Sequence, residues 1–409
     1  MPRKPPLVKI AMVTGHANPL AAPGSVGADG QSLHIAELAS ALVEQGHDVS
    51  VYARRAGPGT PDHVRSSSGY DVVYLPTGPA QPIERDGLVP YLPELTGQLA
   101  ERWSRDLPDV VHAHFWMSGM ASLGATRELD VPVVQTFHAL GVVEQRHQPG
   151  RPEHPPGRER AEQAIGRSVA RTLATCTEQA YELVRMGVPR TAVAVIPSGV
   201  DLHSFHPDAG IKARDRPRIV AAGRLIARKG FDQLIRALRG IPDAELVIAG
   251  GPPADALNRD SEARRLLALA KRLQVRDRVR LLGAVSREHM PDLLRSADVV
   301  ACAPWYEPFG LVPLEAMACG VPVVGTAVGG LTDTIVDEVT GLLVPPHQPL
   351  ALAHAVTRLL ADPVLRDSMG MAGADRARAR YSWSRVATDV ARTYDSVRGE
   401  GRHAAAEAQ

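Results

Sequence analysis

Two glutamates eight positions apart are the residues of this sequence whose types and spacing best suit chemistry. Glu307 lies in a predicted loop, and Glu315 falls among apolar residues of a helix predicted to begin near Phe309. A buried carboxylate has to be paired or hydrogen-bonded. A sugar nucleotide would supply partners, with ribose hydroxyls for one carboxylate and sugar hydroxyls for the other, and the amides of Phe309, Gly310 and Leu311 would reach the same ligand. The alternative is structural, with Glu307 capping the helix and Glu315 in an ion pair.

A second motif places two cations in a loop flanked by glycines, Gly223 and Gly230. Arg224 and Lys229 lie in this loop, which follows a predicted strand and precedes a predicted helix. A diphosphate needs several donors at once, so two cations together with the amides of a helix start suit it. Cations are also common in surface loops, and the sequence alone leaves that alternative open.

The loop after the first predicted strand, Gly15–Gln31, is rich in glycine and leads directly into a helix. Gly24, Gly27 and Gly30 would let backbone amides approach an anion. Their spacing is not that of the dinucleotide-binding fingerprint, and the lysine of a Walker A loop is missing. A flexible connection between strand and helix is the alternative.

Three histidines stand at predicted strand ends: His112, His114 and His138. A histidine at such a place is more often structural than catalytic, but a position beside a ligand favours a functional role for His138. His112 and His114 share one face of a strand, yet two histidines without a third ligand make a weak metal site. The sequence also lacks a D-x-D motif. We therefore expect neither a metal nor a cofactor.

Apolar segments of strand length alternate with amphipathic helical segments along the chain. In the first half the predicted strands are Val8–Val13, Val49–Tyr52, Val110–His112, Val131–Thr136 and Val193–Ile196, with helices such as Leu33–Gln45 and Arg160–Arg167 between them. In the second half the predicted strands are Arg218–Ala222, Glu245–Ala249, Val279–Leu282, Val299–Ala303 and Val321–Gly325, with helices such as Gly230–Leu238 and Ser261–Leu273. This alternation predicts βαβ units and parallel sheets.

A stretch without periodicity, Pro197–Asp215, separates the two series and predicts an interdomain connection. We expect an α/β protein with two doubly wound domains, residues 1–200 and 201–382, followed by a C-terminal segment, residues 383–409. In that segment Trp383–Val397 is a predicted helix that crosses back to the first domain, and the tail after it is expected to fray. Open α/β sheets bind ligands at the carboxyl ends of their strands, so a cleft between the two domains is the expected site.

Length and composition agree with this architecture. A chain of 409 residues suffices for about two or three domains, and a formal net charge of +1 gives no electrostatic footprint for nucleic acid. Three widely spaced cysteines favour a reducing compartment over a disulfide scaffold. No apolar run approaches the roughly 20 residues of a membrane span, and the N-terminus does not have the pattern of a signal peptide. We expect a cytoplasmic protein without membrane association, and a homodimer is compatible with the sequence.

The motifs resemble a known family. Glu307-Pro-Phe-Gly-Leu…Glu315 is similar to the E-x7-E motif of the retaining GT-B glycosyltransferases of family GT4, and Gly223–Gly230 resembles the diphosphate loop of that family. Val328–Leu331 and Thr340–Val344 follow in the expected order. Asp109–Gly119 and the glycine-rich first loop look most similar to the mycothiol-pathway glycosyltransferases and the sucrose-phosphate synthases. The resemblance covers nearly the whole chain.

The resemblance implies roles for individual residues. The donor would be a nucleoside diphosphate sugar, with a UDP-sugar favoured, and its binding residues would be Gly30, Arg224, Lys229, Val285, Glu307, Phe309, Gly310, Leu311 and Glu315. Of these, Arg224 and Lys229 would bind the diphosphate, Glu315 the ribose and Glu307 the sugar; together with His138, near the primary hydroxyl of the sugar, Arg224, Lys229 and Glu307 form the catalytic set. This chain has Asp29-Gly30 where similar family members have two glycines. The family implies retention at the anomeric carbon without a protein-bound metal.

The residues expected near the acceptor depart from the family members that bind inositol phosphate. Ser32 replaces an asparagine, Phe115 a tyrosine and Ala139 a threonine, whereas Arg85 and Arg158 preserve two cations. We therefore predict a neutral or cationic hydroxyl acceptor such as a cyclitol, an aminocyclitol or a natural product. Transfer to inositol phosphate or to a sugar phosphate is the alternative. A GT-B epimerase, a phosphorylase and a two-lobed binding protein remain as weaker rivals.

Overall fold

The computed structural model describes residues 7–21, 30–147, 155–208 and 216–407, with side chains to residue 400. The chain forms two compact units. The first comprises Met1–Ser198 together with Trp383–Gln409, and the second comprises Gly199–Ser382. Within the described residues, no helix is long and apolar enough to cross a membrane.

The first unit is built on a sheet of eight strands among its described residues. The strands are β1 Lys9–Thr14, β2 Asp48–Arg54, β3 His63–Arg65, β4 Asp71–Leu75, β5 Val110–His114, β6 Val133–Thr136, β7 Arg171–Ala174 and β8 Val193–Val195. The helices before residue 198 are α1 Gly30–Glu44, α2 Leu92–Arg105, α3 Trp116–Ala125, α4 Gly141–His147, α5 Arg158–Ser168 and α6 Thr177–Arg185. The strand order is β3-β4-β2-β1-β5-β6-β7-β8, and all pairs are parallel except β3 with β4.

The second unit contains a parallel sheet of six strands in its described part, in the order β11-β10-β9-β12-β13-β14. The strands are β9 Arg218–Ala222, β10 Glu245–Ala249, β11 Val279–Gly283, β12 Val299–Cys302, β13 Val323–Thr326 and β14 Gly341–Val344. The helices are α7 Phe231–Ala237, α8 Ser261–Arg272, α9 Met290–Arg295, α10 Leu311–Ala318, α11 Leu331–Thr334, α12 Pro349–Ala361 and α13 Pro363–Arg380. Both units thus have the doubly wound, Rossmann-like α/β arrangement that the alternating pattern predicted.

Each sheet reverses its winding direction next to its first strand. In the first unit, β2 pairs with one side of β1 and β5 with the other. In the second unit, β10 and β12 flank β9 in the same way. A crevice opens at the carboxyl ends of strands where the winding reverses, and ligands of such sheets bind there. The residues that follow β1, β5, β9 and β12 are therefore the ones in position to contact a ligand.

The last helix, α14, spans Trp383–Glu407 and belongs to the first unit. Its buried face joins the core around α1 through Trp383, Val390 and Tyr394. The helix continues past the predicted end at Val397 as far as Glu407. The alanines and the glutamate of this segment have high helix propensity, and fraying at the end of the tail stays a prediction.

Most predicted strands differ from the observed ones only at their ends. Two predicted strands begin too early, at Val131 and Val321, because each contains a proline at its second position. Pro132 and Pro322 have no N–H to donate to a ladder, but their carbonyls accept hydrogen bonds from the neighbouring strands at 3.0 and 3.1 Å. Strands β3, β4, β7 and β14 were not predicted.

Candidate active site

The loop that carries Arg224 and Lys229 runs from the carboxyl end of β9 to the start of α7. Glycines bring it close to neighbouring backbone: a Cβ on Gly230 would lie 1.8 Å from the carbonyl oxygen of Ala303, and one on Gly250 would lie 1.8 Å from that of Gly223. Gly230 also has a φ of 67°, which favours glycine. The loop is thereby seated against the ends of β10 and β12, at the reversal point of the sheet.

Lys229 and Glu307, two of the predicted catalytic residues, form an ion pair. Arg228 lies 4.0 Å from the same carboxylate and hydrogen-bonds the carbonyl of Tyr306. Burial raises the pKa of Glu307, but the charges of Lys229 and Arg228 outweigh it and hold that pKa below its usual range. The glutamate is therefore a carboxylate at neutral pH, with an ammonium beside it.

The loop around Glu307 is held by backbone contacts. The amide of Phe309 hydrogen-bonds the carboxylate of Glu307, and the amide of Gly330 donates to the carbonyl of Glu307 at 2.7 Å. A Cβ on Gly329 would lie 2.2 Å from that carbonyl oxygen, so this approach requires glycine. Helix α10 begins at Leu311, after Gly310 with a φ of 67°, two residues later than the predicted start near Phe309. Of the three amides predicted to reach a ligand, that of Leu311 belongs to the first residue of the helix, and those of Phe309 and Gly310 precede it.

Glu315 is buried inside α10 and pairs with Arg287, a residue that the sequence did not single out. Burial raises the pKa of Glu315, and the attraction of Arg287 offsets only part of the rise. The guanidinium of Arg287 also lies over the ring of Phe205, 4.4 Å from its centroid. No local signal pointed to Arg287, because it is far from Glu315 in the chain and in the loop before α9.

The remaining donor candidates of the second unit lie on its loops. Arg224 is exposed two residues after β9, and Val285 is half-buried two residues after β11. The structure thus brings Lys229 into contact with Glu307 and places Arg224 on the same loop as Lys229. In the first unit, Gly30 is the first residue of α1. Gly24, Gly27 and Asp29 lie outside the described residues.

His138, two residues after β6, belongs to a buried group of histidines in the first unit that also includes His112 and His114 of β5 and His34 of α1. His114 Nδ1 lies 2.9 Å from His138 Nε2, and the ring of His34 is 5.1 Å from that of His138. His112 lies 2.7 Å from the hydroxyl of Tyr394 and 2.8 Å from that of Thr136. His138 has a φ of 61°, a strained conformation for this residue type.

All four of these histidines are neutral at pH 7. Burial lowers the pKa of His34 to about 4 and that of His112 to about 3. The pKa values of His114 and His138 also lie well below the usual value, because of burial and of the neighbouring histidines. Among the described residues, no group of three or more histidine, cysteine or acidic side chains is arranged to hold a metal ion.

Phe115, one of the acceptor candidates, is buried after β5 in a backbone conformation with a φ of 74°. Arg85 and Arg158 lie over its ring, with guanidinium carbons 4.7 and 5.0 Å from the ring centroid. Ala139 contributes its carbonyl, which accepts a hydrogen bond from Arg158 at 3.3 Å. Ser32 is buried in α1.

Two glutamates that the sequence did not single out hold these arginines. Glu144 Oε2 lies 2.8 Å from Arg158 Nη1 and 3.5 Å from Arg85 Nη2, and Glu162 Oε1 accepts from Arg158 Nε at 2.7 Å. We call these four residues the arginine–glutamate cluster. Burial raises the pKa of Glu162 to about 7, although Arg158 and the Gly141 amide oppose the rise. Burial lowers the pKa of Arg158, but the two glutamates outweigh it and raise the pKa above its usual value.

Chemically, the second unit offers cations and carboxylates on neighbouring loops, which suits a ligand that carries both anionic oxygens and hydroxyls. The first unit offers neutral imidazoles and the arginine–glutamate cluster. Neither group supplies an activated nucleophile of the serine–histidine or cysteine–histidine type.

Comparisons with known proteins agree with this geometry. Residues 28–204 match the model of Glycosyltransferase Family 4, and residues 205–376 match that of Glycosyl transferases group 1. The D-inositol 3-phosphate glycosyltransferase of Xylanimonas cellulosilytica is 36% identical over 94% of this chain and 96% of the relative. That of Kineococcus radiotolerans is 33% identical over 96% of each chain.

Solved structures give the same result. The sucrose-phosphate synthase of Thermosynechococcus elongatus is 31% identical and superposes with a TM-score of 0.86 over 95% of this chain and 98% of that one. The Anabaena protein Alr3699/HepE, in complex with UDP and glucose, has the same fold at 19% identity, with a TM-score of 0.72 over 95% of this chain and 100% of that one. The chain therefore belongs to the family 4, group 1 glycosyltransferases, and its two Rossmann-like units are those of the GT-B fold.

Proposed function

We propose that this glycosyltransferase moves a sugar from a UDP-sugar to a hydroxyl of a small acceptor that carries no phosphate. The observation that carries the donor half is the ion pair of Lys229 with Glu307, on two loops at the reversal point of the second sheet. A nucleoside diphosphate sugar fits this pair because it supplies an anion for the lysine and hydroxyls for the glutamate. The UDP bound by the Anabaena protein of the same fold supports the choice of nucleotide.

The donor would enter by an exchange of partners. Its diphosphate would replace Glu307 beside Lys229, with Arg224 as the second cation, and the released carboxylate would accept hydrogen bonds from the sugar. The ribose hydroxyls would likewise be accepted by Glu315. Backbone near Val285 would contact the base, the amides from Phe309 to Leu311 would contact the donor, and Gly30 would lie against the phosphates.

The chemical step would be a same-face substitution that retains the anomeric configuration. The bond from the sugar to the diphosphate breaks, the acceptor oxygen bonds the anomeric carbon, and a diphosphate oxygen takes the acceptor proton. Lys229 and Arg224 would stabilise the charge that grows on the leaving group. His138, being neutral, would act as a hydrogen-bonding group near the sugar and not as an acid.

A divalent ion has no assigned task in this scheme, because the cationic side chains of Lys229 and Arg224 would already neutralise the charge of the diphosphate. We therefore expect the rate of transfer to be unchanged by added chelator. Loss of activity with chelator and its return with magnesium or manganese would show that a metal takes part.

The acceptor half of the proposal depends on the arginine–glutamate cluster. Arg158 and Arg85 would be the cations for an acceptor phosphate, but both already have Glu144 as a partner. Phe115 and Ala139 also provide no side-chain hydroxyl. A phosphate without enough donors carries a large desolvation cost, so a neutral or cationic polyol suits the cluster better.

Transfer to D-inositol 3-phosphate is the second candidate, and a specific observation favours it: relatives of that name cover nearly the whole chain at 33–36% identity. A competition assay separates the two candidates. UDP-sugars that stabilise the enzyme in a thermal-shift screen would serve as donors for inositol, glucose and fructose offered together with their phosphates. Preferential transfer to the free polyols supports our proposal, and preferential transfer to a phosphate supports the second candidate.

A further inference from the structure

We propose that Glu144 is the residue that selects against phosphorylated acceptors, an inference that rests on the proposed function. One of its oxygens, Oε2, faces both arginines of the cluster, at 2.8 Å from Arg158 and 3.5 Å from Arg85. The carboxylate of Glu144 therefore lies at the position where Arg158 and Arg85 could otherwise bind the phosphate of an acceptor.

Arg158 cannot bind an acceptor phosphate without losing a partner. The residue is only 2% exposed, and each of its three nitrogens is engaged: Nε with Glu162, Nη1 with Glu144 and Nη2 with the carbonyl of Ala139. Its apolar side is covered by the ring of Phe115. An incoming anion would have to displace one of these groups.

Glu162 is not the partner that moves. It is fully buried, and its two oxygens accept hydrogen bonds from the amide of Gly141 at 3.2 and 2.9 Å in addition to the one from Arg158. Glu162 is thus fixed by the backbone of Gly141 as well as by Arg158, which leaves Glu144 as the carboxylate shared with Arg85.

The accessible part of the cluster consists of Arg85 and Glu144. Their side chains are 31% and 13% exposed, and Arg85 Nη2 lies 3.5 Å from Glu144 Oε2. A phosphate that approaches Arg85 would come within a few ångströms of the Glu144 carboxylate and be repelled by it. A hydroxyl or an ammonium group would instead donate to that carboxylate. Glu144 thus turns a pair of cations into a site for uncharged or cationic groups.

The test measures binding of D-inositol 3-phosphate and of inositol by titration calorimetry, with the full chain and UDP present. We compare the wild type with Glu144→Gln, which keeps the size of the side chain and removes its charge. Glu182→Gln is the matched control, since Glu182 in the same unit also pairs with two arginines, Arg146 at 2.8 Å and Arg185 at 3.4 Å, and is similarly buried.

We expect Glu144→Gln to bind D-inositol 3-phosphate about tenfold more tightly than the wild type, because a like charge has been removed, and not to gain affinity for inositol. Glu182→Gln should match the wild type. Equal phosphate affinity in the wild type and Glu144→Gln would overturn the role of Glu144. So would tighter binding of D-inositol 3-phosphate than of inositol by the wild type, which needs no variant and decides the question if Glu144→Gln does not fold.

UDP affinity separates this inference from the proposed function. If UDP binds all forms alike and the phosphate affinity does not change, only the role of Glu144 is wrong. If UDP binds none of the forms, the assignment of the donor site is wrong as well.

Discussion

The loops of the second unit and the arginine–glutamate cluster of the first hold their charges in two different ways. Lys229 keeps 19% of its side chain exposed and pairs with Glu307, which is buried and lies on a second loop. Arg158 is enclosed and has partners at every nitrogen. An ion pair with one accessible member can exchange a partner for a ligand at low cost, whereas an enclosed charge that loses its partner remains unsolvated. The comparison teaches that ion pairs in one protein can be either exchangeable or structural.

The largest effect on stability should come from removing one member of the buried ion pairs in the arginine–glutamate cluster. Arg158→Ala leaves Glu144 and Glu162 without their shared partner, and loss of one member of a buried ion pair typically costs about 3–5 kcal/mol. We expect the free energy of unfolding to fall by that amount in denaturant titrations. Arg167→Ala, on the exposed face of the same helix, is the control; equal loss in both variants would show that the pairing in the cluster does not matter.

The same kind of change in the second unit should affect the rate and not the fold. Lys229→Ala and Arg224→Ala each remove a cation that would stabilise the leaving diphosphate, and such losses typically lower kcat by about 10²–10³. Steady-state kinetics and thermal unfolding would be measured on the same samples. Lys271→Ala, at an exposed lysine of α8, should retain full activity. Folded Lys229 and Arg224 variants with near-normal turnover would contradict the assignment of the loop.

Substitutions of Glu315 and Glu307 should change different quantities, the first the affinity for UDP and the second kcat. Glu315→Gln should weaken UDP binding by about tenfold, because it removes the charge from a hydrogen bond that ground and transition states share. Glu307→Gln should mainly lower kcat, since it would act on the transferred sugar. Calorimetry with UDP and initial-rate kinetics test the distinction, with Glu288→Gln as an exposed control. Undiminished UDP affinity in Glu315→Gln would remove its proposed role.

The smallest effect per residue concerns the neutral histidines of the first unit. Their pKa values in the folded protein, about 4 for His34 and about 3 for His112, lie below the unfolded value of about 6.5. The unfolded chain therefore binds more protons as the pH falls, so stability is fully present above pH 6.5 and is lost toward the folded pKa values. Between pH 6.5 and 5.5 each histidine should lower the free energy of unfolding by roughly 1 kcal/mol. A flat unfolding profile over this range would contradict their burial as neutral groups.

The sequence predicted what depends on neighbours in the chain and missed what depends on folding. The loop with Arg224 and Lys229 and the glutamates of the E-x7-E motif are local patterns. The structure places Arg224, Lys229 and Glu307 on loops after β9 and β12, and Glu315 inside α10. Arg287 and Glu144 act through partners on other elements, so no spacing in the chain indicates them. Arg158 illustrates the difference. The sequence identified it as a cation near the acceptor, but only the fold shows that it is already paired with the carboxylates of Glu144 and Glu162.

The return of α14 to the first unit has a consequence for synthesis of the chain. Trp383, Val390 and Tyr394 complete a hydrophobic core whose other residues lie mostly before residue 198. Because the ribosome synthesises these side chains last, the core of the first unit stays incomplete and its apolar face exposed while the entire second unit emerges and can fold. The order of synthesis and the order of completion are thus reversed, and the N-terminal unit is the last to be finished.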